Sequence, residues 1–240
     1  MAAFSSLAIP EVLEATDDQT GRPMIEMIQD QAGQKGTGRW TLIEALKLGQ
    51  SPSTIEAAVG ARGWSSEKST RVAASDILTL GARVGPPPSE SDLADALLAG
   101  RILSHAQGFR VMTAASDEFG WSLDMARISE IWRAGCIIRS VLLDTFAAAF
   151  RDELPHGHLI LSPEIARWLG AAIPGLRRVV CAAVANGQPV PALAAALSWH
   201  DSMAQARGTA DMIQGLRDFF GAHGFERTDQ DGTHHGPWNT

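Results

Sequence analysis

The sequence predicts an all-α fold, and two observations support that prediction. Alanine, leucine, arginine and glutamate dominate long stretches in which apolar side chains recur at helical spacing. Runs of β-branched residues with strict apolar and polar alternation are scarce. The 240 residues are 45% hydrophobic, which is ample for a globular core. We therefore expect one multi-helix domain over residues 1–224 and an extended tail over residues 225–240.

Helical periodicity recurs along almost the whole chain, and glycine, proline or asparagine stands at most of the joints. Thr41 and Glu44 fit a capping box in the first of these helices. Segment 91–119 is the longest, and Gly120 closes it. Residues 81–89, which include the prolines at 86–88, form a linker that no helix crosses. The predicted helices are 38–48, 54–62, 65–80, 91–119, 123–134, 137–152, 163–169, 174–186, 190–206 and 208–222.

Charge and composition exclude several classes of protein. The net charge of −7 argues against a nucleic-acid protein with a broad basic face. No uninterrupted apolar run approaches the roughly 18 residues of a membrane span, and we expect no secretory signal at the amino terminus. Cys136 and Cys181 lie far apart without metal-ligand spacing. We therefore expect neither a disulfide scaffold nor a zinc module, and a cytoplasmic location.

The sequence predicts neither a dinucleotide cofactor nor a metal for this chain. No GxGxxG follows a predicted strand, and no βαβ pattern occurs, so a Rossmann-type site is excluded. The adjacent His234 and His235 cannot both face one ion without further ligands, which favours a solvated tail. His105 and His200 fit core histidines better than metal ligands.

The glycine-rich segment Ala32–Trp40 is the densest candidate for a ligand site. Its three glycines let the backbone approach a ligand closely, and it leads into a helix amino terminus, which favours an anion. Lys35 adds a positive charge and Thr37 a hydroxyl donor. The order Lys-Gly-Thr departs from that of a P-loop. A flexible turn with a solvated lysine is the alternative.

Two further segments could contribute to an anion site. Arg62 lies among glycines and precedes two serines that could cap the next helix. Arg217 and His223 stand six residues apart at the end of the last predicted helix, and they converge only if the helix breaks at Gly221. The alternatives are a surface arginine with an ordinary helix cap, and two solvated side chains.

Taken together, these segments resemble the carboxy-terminal helical domain of the decarboxylating 6-phosphogluconate dehydrogenases. The matching stretches are AGQKGTGRWT, ARGWSSEK, SHAQGF, EFGW, WRAGCIIRS and RDFFGAHGFERTD. They occur in the family's order with similar gaps, and the resemblance runs from about Thr16 to the end. It implies an all-α substrate-binding and dimerisation domain of an oxidoreductase of the pentose phosphate pathway.

The resemblance assigns roles to five residues. In the family, the lysine and threonine of the QKGTG loop bind the phosphate or sugar end of the substrate, which implies the same for Lys35 and Thr37. The arginine of the ARxxSS segment binds that phosphate too, which implies this role for Arg62. Arg217 and His223 match an arginine and a histidine that reach into the partner subunit's site. The family tail threads through the other subunit, which implies a homodimer.

The chain departs from the family in two respects. The 240 residues include neither the nucleotide-binding domain nor the helix whose lysine and glutamate act as general base and general acid. We therefore expect no catalytic residue and no bound cofactor in this chain, whereas the complete family enzyme uses NADP. Where the family has an apolar helix, this chain has Phe4-Ser5-Ser6-Leu7 and Pro10, and Phe219 replaces a family tyrosine.

Two functions from different classes remain open at this point. In the first, the chain is the substrate-binding and dimerising half of an enzyme that converts 6-phosphogluconate to ribulose 5-phosphate with NADP. That half is inactive alone, and a separate Rossmann-domain chain is then an expected partner. In the second, the chain is a stand-alone dimer that binds a sugar phosphate or acts as a scaffold, without redox activity.

Overall fold

The computed structural model describes residues 4–33 and 35–238. In these ranges the chain forms eleven α-helices and one short β-hairpin, so the predicted all-α class is confirmed. The chain divides into two compact units, one ending at Ser198 and the other beginning at Trp199. The predicted boundary at residue 224 falls inside the second unit, and the division into helical domain and tail stays a prediction.

The helices follow the predicted order, with two additions at the amino-terminal end. Two 3₁₀ turns, Pro155–Gly157 and Leu159–Leu161, precede the ninth helix. The helices are α1 Phe4–Glu14, α2 Met24–Met27, α3 Thr37–Lys47, α4 Ser53–Ser65, α5 Lys68–Ser75, α6 Glu90–Phe119, α7 Met125–Gly135, α8 Leu142–Arg151, α9 Pro163–Ala185, α10 Pro191–Met203 and α11 Ala210–Gly221.

The core of the first unit forms where α6 packs against α9. Small residues allow the two backbones to approach closely: a Cβ at Gly175 would lie 2.5 Å from Cβ of Asp95. A second helix pair, α7 and α8, packs beside them. The apolar side chains buried along α6 and α9 are Ala96, Ala99, Ile102, Leu103, Ala106, Phe109, Ile165, Leu169, Ala172, Ile173, Leu176 and Val179.

The ninth helix differs from its prediction. Two helices were expected, 163–169 and 174–186, because Pro174 lacks an N–H and ordinarily breaks a helix at a cost of about 3 kcal/mol. The structure has one continuous helix with Pro174 inside it. Ile173 and Leu176 on either side of the proline are buried in the core, and their packing stabilises the helix across the missing hydrogen bond.

Local capping signals behave differently at α3 and α6. Ser89 caps α6 by accepting a hydrogen bond from Asp92 N–H at 3.2 Å, and Gly120 ends it with a positive φ of 65°. The capping box expected at Thr41 is wrong, because α3 begins four residues earlier. Thr41 lies inside the helix and donates its hydroxyl to the Thr37 carbonyl at 3.0 Å.

One helix in the described part of the chain, α9, is long and apolar enough to cross a membrane by length and composition, with mean hydropathy 1.3 over an 18-residue window. A third of that window is buried inside the first unit. Arg177 and Arg178 interrupt the apolar run of this helix, and α9 packs against α6.

The second unit contains α11 and a hairpin formed by the tail. Helix α11 ends at Gly221, and Ala222 takes a left-handed conformation with φ 48° and ψ 39°. Strand β1 (Phe225–Glu226) pairs antiparallel with strand β2 (Thr233–His234). The described part of the predicted extended tail is therefore a hairpin, and its packing on a partner subunit stays a prediction.

Candidate functional site

Three of the predicted site residues line one cleft in the first unit. Lys35, Thr37 and Arg62 surround an open cavity of about 450 Å³ between the glycine-rich segment and α4. The remaining lining residues are small or apolar: Gly33, Gly36, Gly38 and Val59. Two basic residues and a threonine thus line a space large enough for a small anionic ligand.

The glycine-rich segment ends as the amino terminus of α3. Gly36 is the N-cap residue, and its φ of 106° is a conformation that glycine adopts without strain. Because Gly36 has no side chain, it provides no side-chain cap for the N–H groups of the first turn, and only its carbonyl accepts, from Trp40 N–H at 2.9 Å. Thr37 and Gly38 of that turn line the cleft. The predicted helix amino terminus therefore lies at the cleft, where its dipole favours an anion.

Arg62 also closes the loop on which Lys35 lies. Its Nη2 donates a hydrogen bond to the carbonyl of Gly33 at 2.5 Å. The expectation that the following serines cap the next helix is wrong. Ser65 and Ser66 lie at the end of α4 and donate to carbonyls of the preceding turn, and the Ser65 hydroxyl also accepts from Ala32 N–H at 2.9 Å.

Helix α4, which carries Arg62, is fixed to the core by one buried glutamine. Gln107 of α6 is 3% exposed. Its Oε1 accepts hydrogen bonds from the backbone N–H of Thr54 at 2.9 Å and from the Thr54 hydroxyl at 2.6 Å. Its Nε2 donates to the Ser53 hydroxyl at 3.1 Å. The SHAQGF stretch therefore contributes a buried glutamine that positions the arginine helix.

A charged cluster behind the loop was missed in the sequence. Asp30 forms ion pairs with Lys68 and with Arg71, whose Nη1 lies 2.9 Å from Oδ2 of Asp30. Arg71 also donates to the backbone carbonyls of Asp30 and Ser65. The hydrogen bonds from Arg71 and Lys68 lower the pKa of Asp30 to about 2. This cluster joins the start of the loop to α5, and no local spacing could have indicated it.

The contact between α3 and α4 depends on a glycine at position 38. A Cβ there would lie 2.7 Å from Cγ2 of Val59. We expect Gly38→Ala to lower the free energy of unfolding by about 1–3 kcal/mol, because overpacking forces a stiff side chain or a helix to move. Chemical denaturation of the parent and the variant measures the change.

The Gly38→Ala loss should shrink in a Val59→Ala background, since truncating the valine opens the needed space. Gly33→Ala is the matched control, because a Cβ at Gly33 would meet no atom within 4 Å. An equal loss in both backgrounds would show that steric contact with Val59 is not the cause.

The other two predicted site residues meet in the second unit. Arg217 and His223 line a common cavity of about 430 Å³. The helix break that their convergence required is present, because α11 ends at Gly221. The His223 ring lies over that glycine, where a Cβ would come within 2.9 Å of the ring. Nη1 of Arg217 donates to Oε1 of Gln214 at 2.7 Å.

Asp218 lies next to Arg217, and no sequence pattern marks it as functional. Its carboxylate is buried, with 1% exposure, and accepts four hydrogen bonds from the turn and the tail. The bond from the Gly236 N–H, with those from His235, Gly224 and Trp238, holds the pKa of Asp218 well below its usual range although burial opposes this.

Residues 4–33 and 35–238 contain no cluster of three or more histidine, cysteine or acidic side chains that could hold a metal. His235 donates to Asp218, and the His234 ring contacts the carbonyl of Asp231 at 3.0 Å. His105 packs against Phe146 in the core, and burial lowers its pKa. The expected solvated tail is therefore wrong for His235, whose ring is bound to a buried carboxylate. His105 packs in the core, but its buried Nε2 has no hydrogen-bond partner among the described residues.

The all-α fold and the cationic, glycine-rich cleft together define a helical domain that is suited to binding an anionic ligand. The profile of the family described as "6-phosphogluconate dehydrogenase, C-terminal domain" matches residues 7–238. The decarboxylating 6-phosphogluconate dehydrogenase of Treponema pallidum is 40% identical over 93% of this chain and 48% of its own length. The NAD(+)-dependent decarboxylating enzyme of Bacillus subtilis is 38% identical over 95% of this chain and 50% of its own length.

A solved structure agrees with these relatives. Plasmodium falciparum 6-phosphogluconate dehydrogenase, described in its apo form, with NADP+ and with its substrate 6-phosphogluconate, matches with a TM-score of 0.92 and 33% identity. The match covers 98% of this chain and 51% of that one. The chain therefore belongs to the 6-phosphogluconate dehydrogenase family and corresponds to its C-terminal domain. It spans about half the length of the curated relatives it matches.

Proposed function

We propose that this chain is the substrate-binding and dimerising half of a decarboxylating 6-phosphogluconate dehydrogenase. The observation that supports it most is the cleft in which Lys35, Thr37 and Arg62 meet at the amino terminus of α3. A phosphate dianion bound there interacts with one guanidinium, one ammonium, one hydroxyl and the dipole of α3. Charge-assisted hydrogen bonds of this kind are about twice as strong as neutral ones.

The role of this half in the reaction is positioning. The complete enzyme oxidises 6-phosphogluconate at C3 with NADP, the 3-keto acid loses carbon dioxide, and the enediol tautomerises to ribulose 5-phosphate. Lys35, Thr37 and Arg62 hold the phosphate end, which lies away from the reacting carbons. Binding energy at that distal group orients C1 to C3 for groups that other parts of the enzyme supply.

A homodimer completes the site in this proposal. Arg217 and His223 of one chain join Lys35, Thr37 and Arg62 of the other, so that each phosphate meets two guanidinium groups. The second unit offers an apolar surface for such an assembly, because the large side chains of α11 are mostly exposed in the single chain. These exposed side chains are Met212, Ile213, Leu216, Phe219 and Phe220.

The nicotinamide cofactor belongs to a different part of the enzyme. The sequence contains no dinucleotide fingerprint, and we propose that a Rossmann domain, in the same or a separate chain, binds NADP. An NAD(+)-dependent relative and an NADP(+)-dependent relative are 38% and 40% identical to this chain. Because the two identities are similar, we propose that the choice between NAD and NADP is made in the Rossmann domain. The cytoplasm is the proposed location, and the free thiols of Cys136 and Cys181 fit its reducing conditions.

The purified 240-residue chain is expected to bind 6-phosphogluconate but not to reduce NADP with it. Binding needs only the cleft, whereas hydride transfer needs a bound nicotinamide and proton-transfer groups. Calorimetry measures the binding and absorbance at the NADPH band measures the turnover. A complete family enzyme, assayed in parallel, is the positive control.

Each result selects one function. Turnover by the chain alone would contradict the proposed division of labour. Binding without turnover, with activity restored by an added Rossmann domain, supports the proposal. Binding without turnover and without restored activity would favour the alternative, a stand-alone dimer that binds a sugar phosphate. Absence of both binding and restored activity would leave a stand-alone scaffold dimer.

A further inference from the structure

The turn that carries His223 is bracketed by two hydrogen bonds to one residue. Before His223, the backbone N–H of Ala222 donates to the carbonyl of Asp218 at 2.8 Å. After it, the backbone N–H of Gly224 donates to Oδ1 of Asp218 at 2.8 Å. Ala222 has a φ of 48°, which a residue other than glycine keeps only when its surroundings hold it. Asp218 therefore holds the turn with its backbone carbonyl before His223 and with its carboxylate after His223.

The same carboxylate holds the carboxy-terminal tail. Oδ1 also accepts from Nδ1 of His235 at 2.6 Å, while Oδ2 accepts from the Gly236 N–H at 2.8 Å and from Nε1 of Trp238 at 3.0 Å. Removing the acceptor would leave buried donors without a partner, which is unfavourable. One buried side chain is thus the common anchor of the His223 turn and of the tail up to Trp238.

We propose that Asp218 is a positioning residue that couples the order of the tail to sugar-phosphate binding by Arg217 and His223. This inference rests on the proposed function, because it assumes that these two side chains meet the ligand. When the tail is attached, the carboxylate is buried and its geometry is fixed by four donors. When the tail leaves, the carboxylate becomes exposed and free to turn, so that it no longer holds the His223 turn.

Asp218→Asn removes the charge of the side chain and keeps its size. The ionised carboxylate offers two acceptor oxygens, and its lowered pKa keeps both available at neutral pH. An asparagine of the same size keeps one oxygen and places an N–H₂ group against two donors. Asp218→Asn should therefore release either the tail pair, Gly236 and Trp238, or the pair formed by Gly224 and His235.

The experiment compares four forms of the full 240-residue chain: parent, Asp218→Asn, Trp238→Phe and Asp231→Asn. Trp238→Phe removes a single donor and keeps an aromatic ring, so it tests the anchor if Asp218→Asn does not fold. Asp231→Asn makes the same charge change at an exposed carboxylate of the hairpin loop. The readouts are trypsin cleavage after Arg227, the imidazole NMR signal of His223, and affinity for 6-phosphogluconate.

We expect Asp218→Asn to speed cleavage after Arg227, shift the His223 signal and weaken binding by about tenfold or more, since small misplacements of binding groups are costly. Trp238→Phe should act in the same direction, with about a two- to tenfold loss of affinity for one hydrogen bond. Asp231→Asn should match the parent in all three readouts.

Faster cleavage with an unchanged His223 signal and unchanged affinity would overturn the coupling, because the tail would then be released without effect on the site. A parent chain that binds no 6-phosphogluconate would instead refute the proposed function. In that case the NMR signal alone decides the role of Asp218, and an unshifted His223 signal in Asp218→Asn refutes it.

Discussion

Replacing Arg62 with alanine is expected to weaken the binding of 6-phosphogluconate by about ten- to a hundredfold, which corresponds to about 1.5–3 kcal/mol for a charge-assisted hydrogen-bonding group. The loss has two sources. The variant removes a guanidinium from the cleft, and it also removes the hydrogen bond that closes the loop at Gly33. Isothermal titration calorimetry of parent and variant measures the change.

Two further variants separate these sources from a general loss of charge. Arg62→Lys keeps the positive charge but loses the planar fork, and an intermediate loss is expected. Arg167→Ala removes an exposed arginine, 70% accessible, outside the cleft, and should bind like the parent. Affinity of the parent should fall as salt is added, less steeply for Arg62→Ala. Parent-like affinity in Arg62→Ala would remove Arg62 from the site.

Mixing Arg62→Ala chains with Arg217→Ala chains is expected to restore binding that neither variant has alone. If each site takes Arg62 from one chain and Arg217 from the other, a mixed dimer contains one intact site and one site with both defects. Random pairing at equal amounts gives about a quarter of all sites intact. The stoichiometry of high-affinity binding, measured after co-refolding, reports this fraction.

A matched mixture provides the control. Arg62→Ala chains mixed with Lys35→Ala chains carry both defects in the same half of the site, so no mixed dimer has an intact site. Sedimentation must also show a dimer at micromolar concentration, as the exposed apolar side chains of α11 suggest. A monomer, or equal binding in the two mixtures, would mean that the five residues do not combine across two chains.

Helix boundaries were predictable where capping residues are local. Segment 91–119 agrees with α6 to within one residue because Ser89 and Gly120 stand at its ends. The convergence of Arg217 and His223 required a helix break at Gly221, but the sequence did not predict that break. It depends on Ala222 taking a left-handed conformation that alanine ordinarily avoids. The local sequence therefore predicts a helix cap well, but it predicts a strained turn poorly.

Elements stabilised by distant packing were missed. Pro174 suggested a break, yet it lies inside α9. For α9 the compensating contacts come from α6, where Asp95 lies so close to Gly175, 80 positions later, that a Cβ there would be 2.5 Å from Cβ of Asp95. Hydrophobic periodicity within one segment carries no information about a partner helix that outweighs a missing hydrogen bond.

The same distinction applies to the candidate site. Lys35 and Thr37 are close in sequence, so their approach to one cleft follows from the glycine-rich segment alone. The groups that hold the site in place were not visible in this way. Asp30 pairs with Arg71, 41 residues away, and Asp218 binds Trp238, 20 residues away. Single contacts between side chains leave no periodic pattern, so only the fold reveals them.

The hydrogen bond from Arg62 to the Gly33 carbonyl affects whether conformational entropy is lost during folding or on ligand binding. Gly33 is already bound to a residue that lines the cleft, before any ligand arrives. A ligand that uses the remaining N–H groups of Arg62 therefore finds Gly33 held against α4. Conformational entropy at that position is lost during folding rather than on binding. Association should then need little rearrangement at Gly33, and its rate should follow encounter and charge attraction.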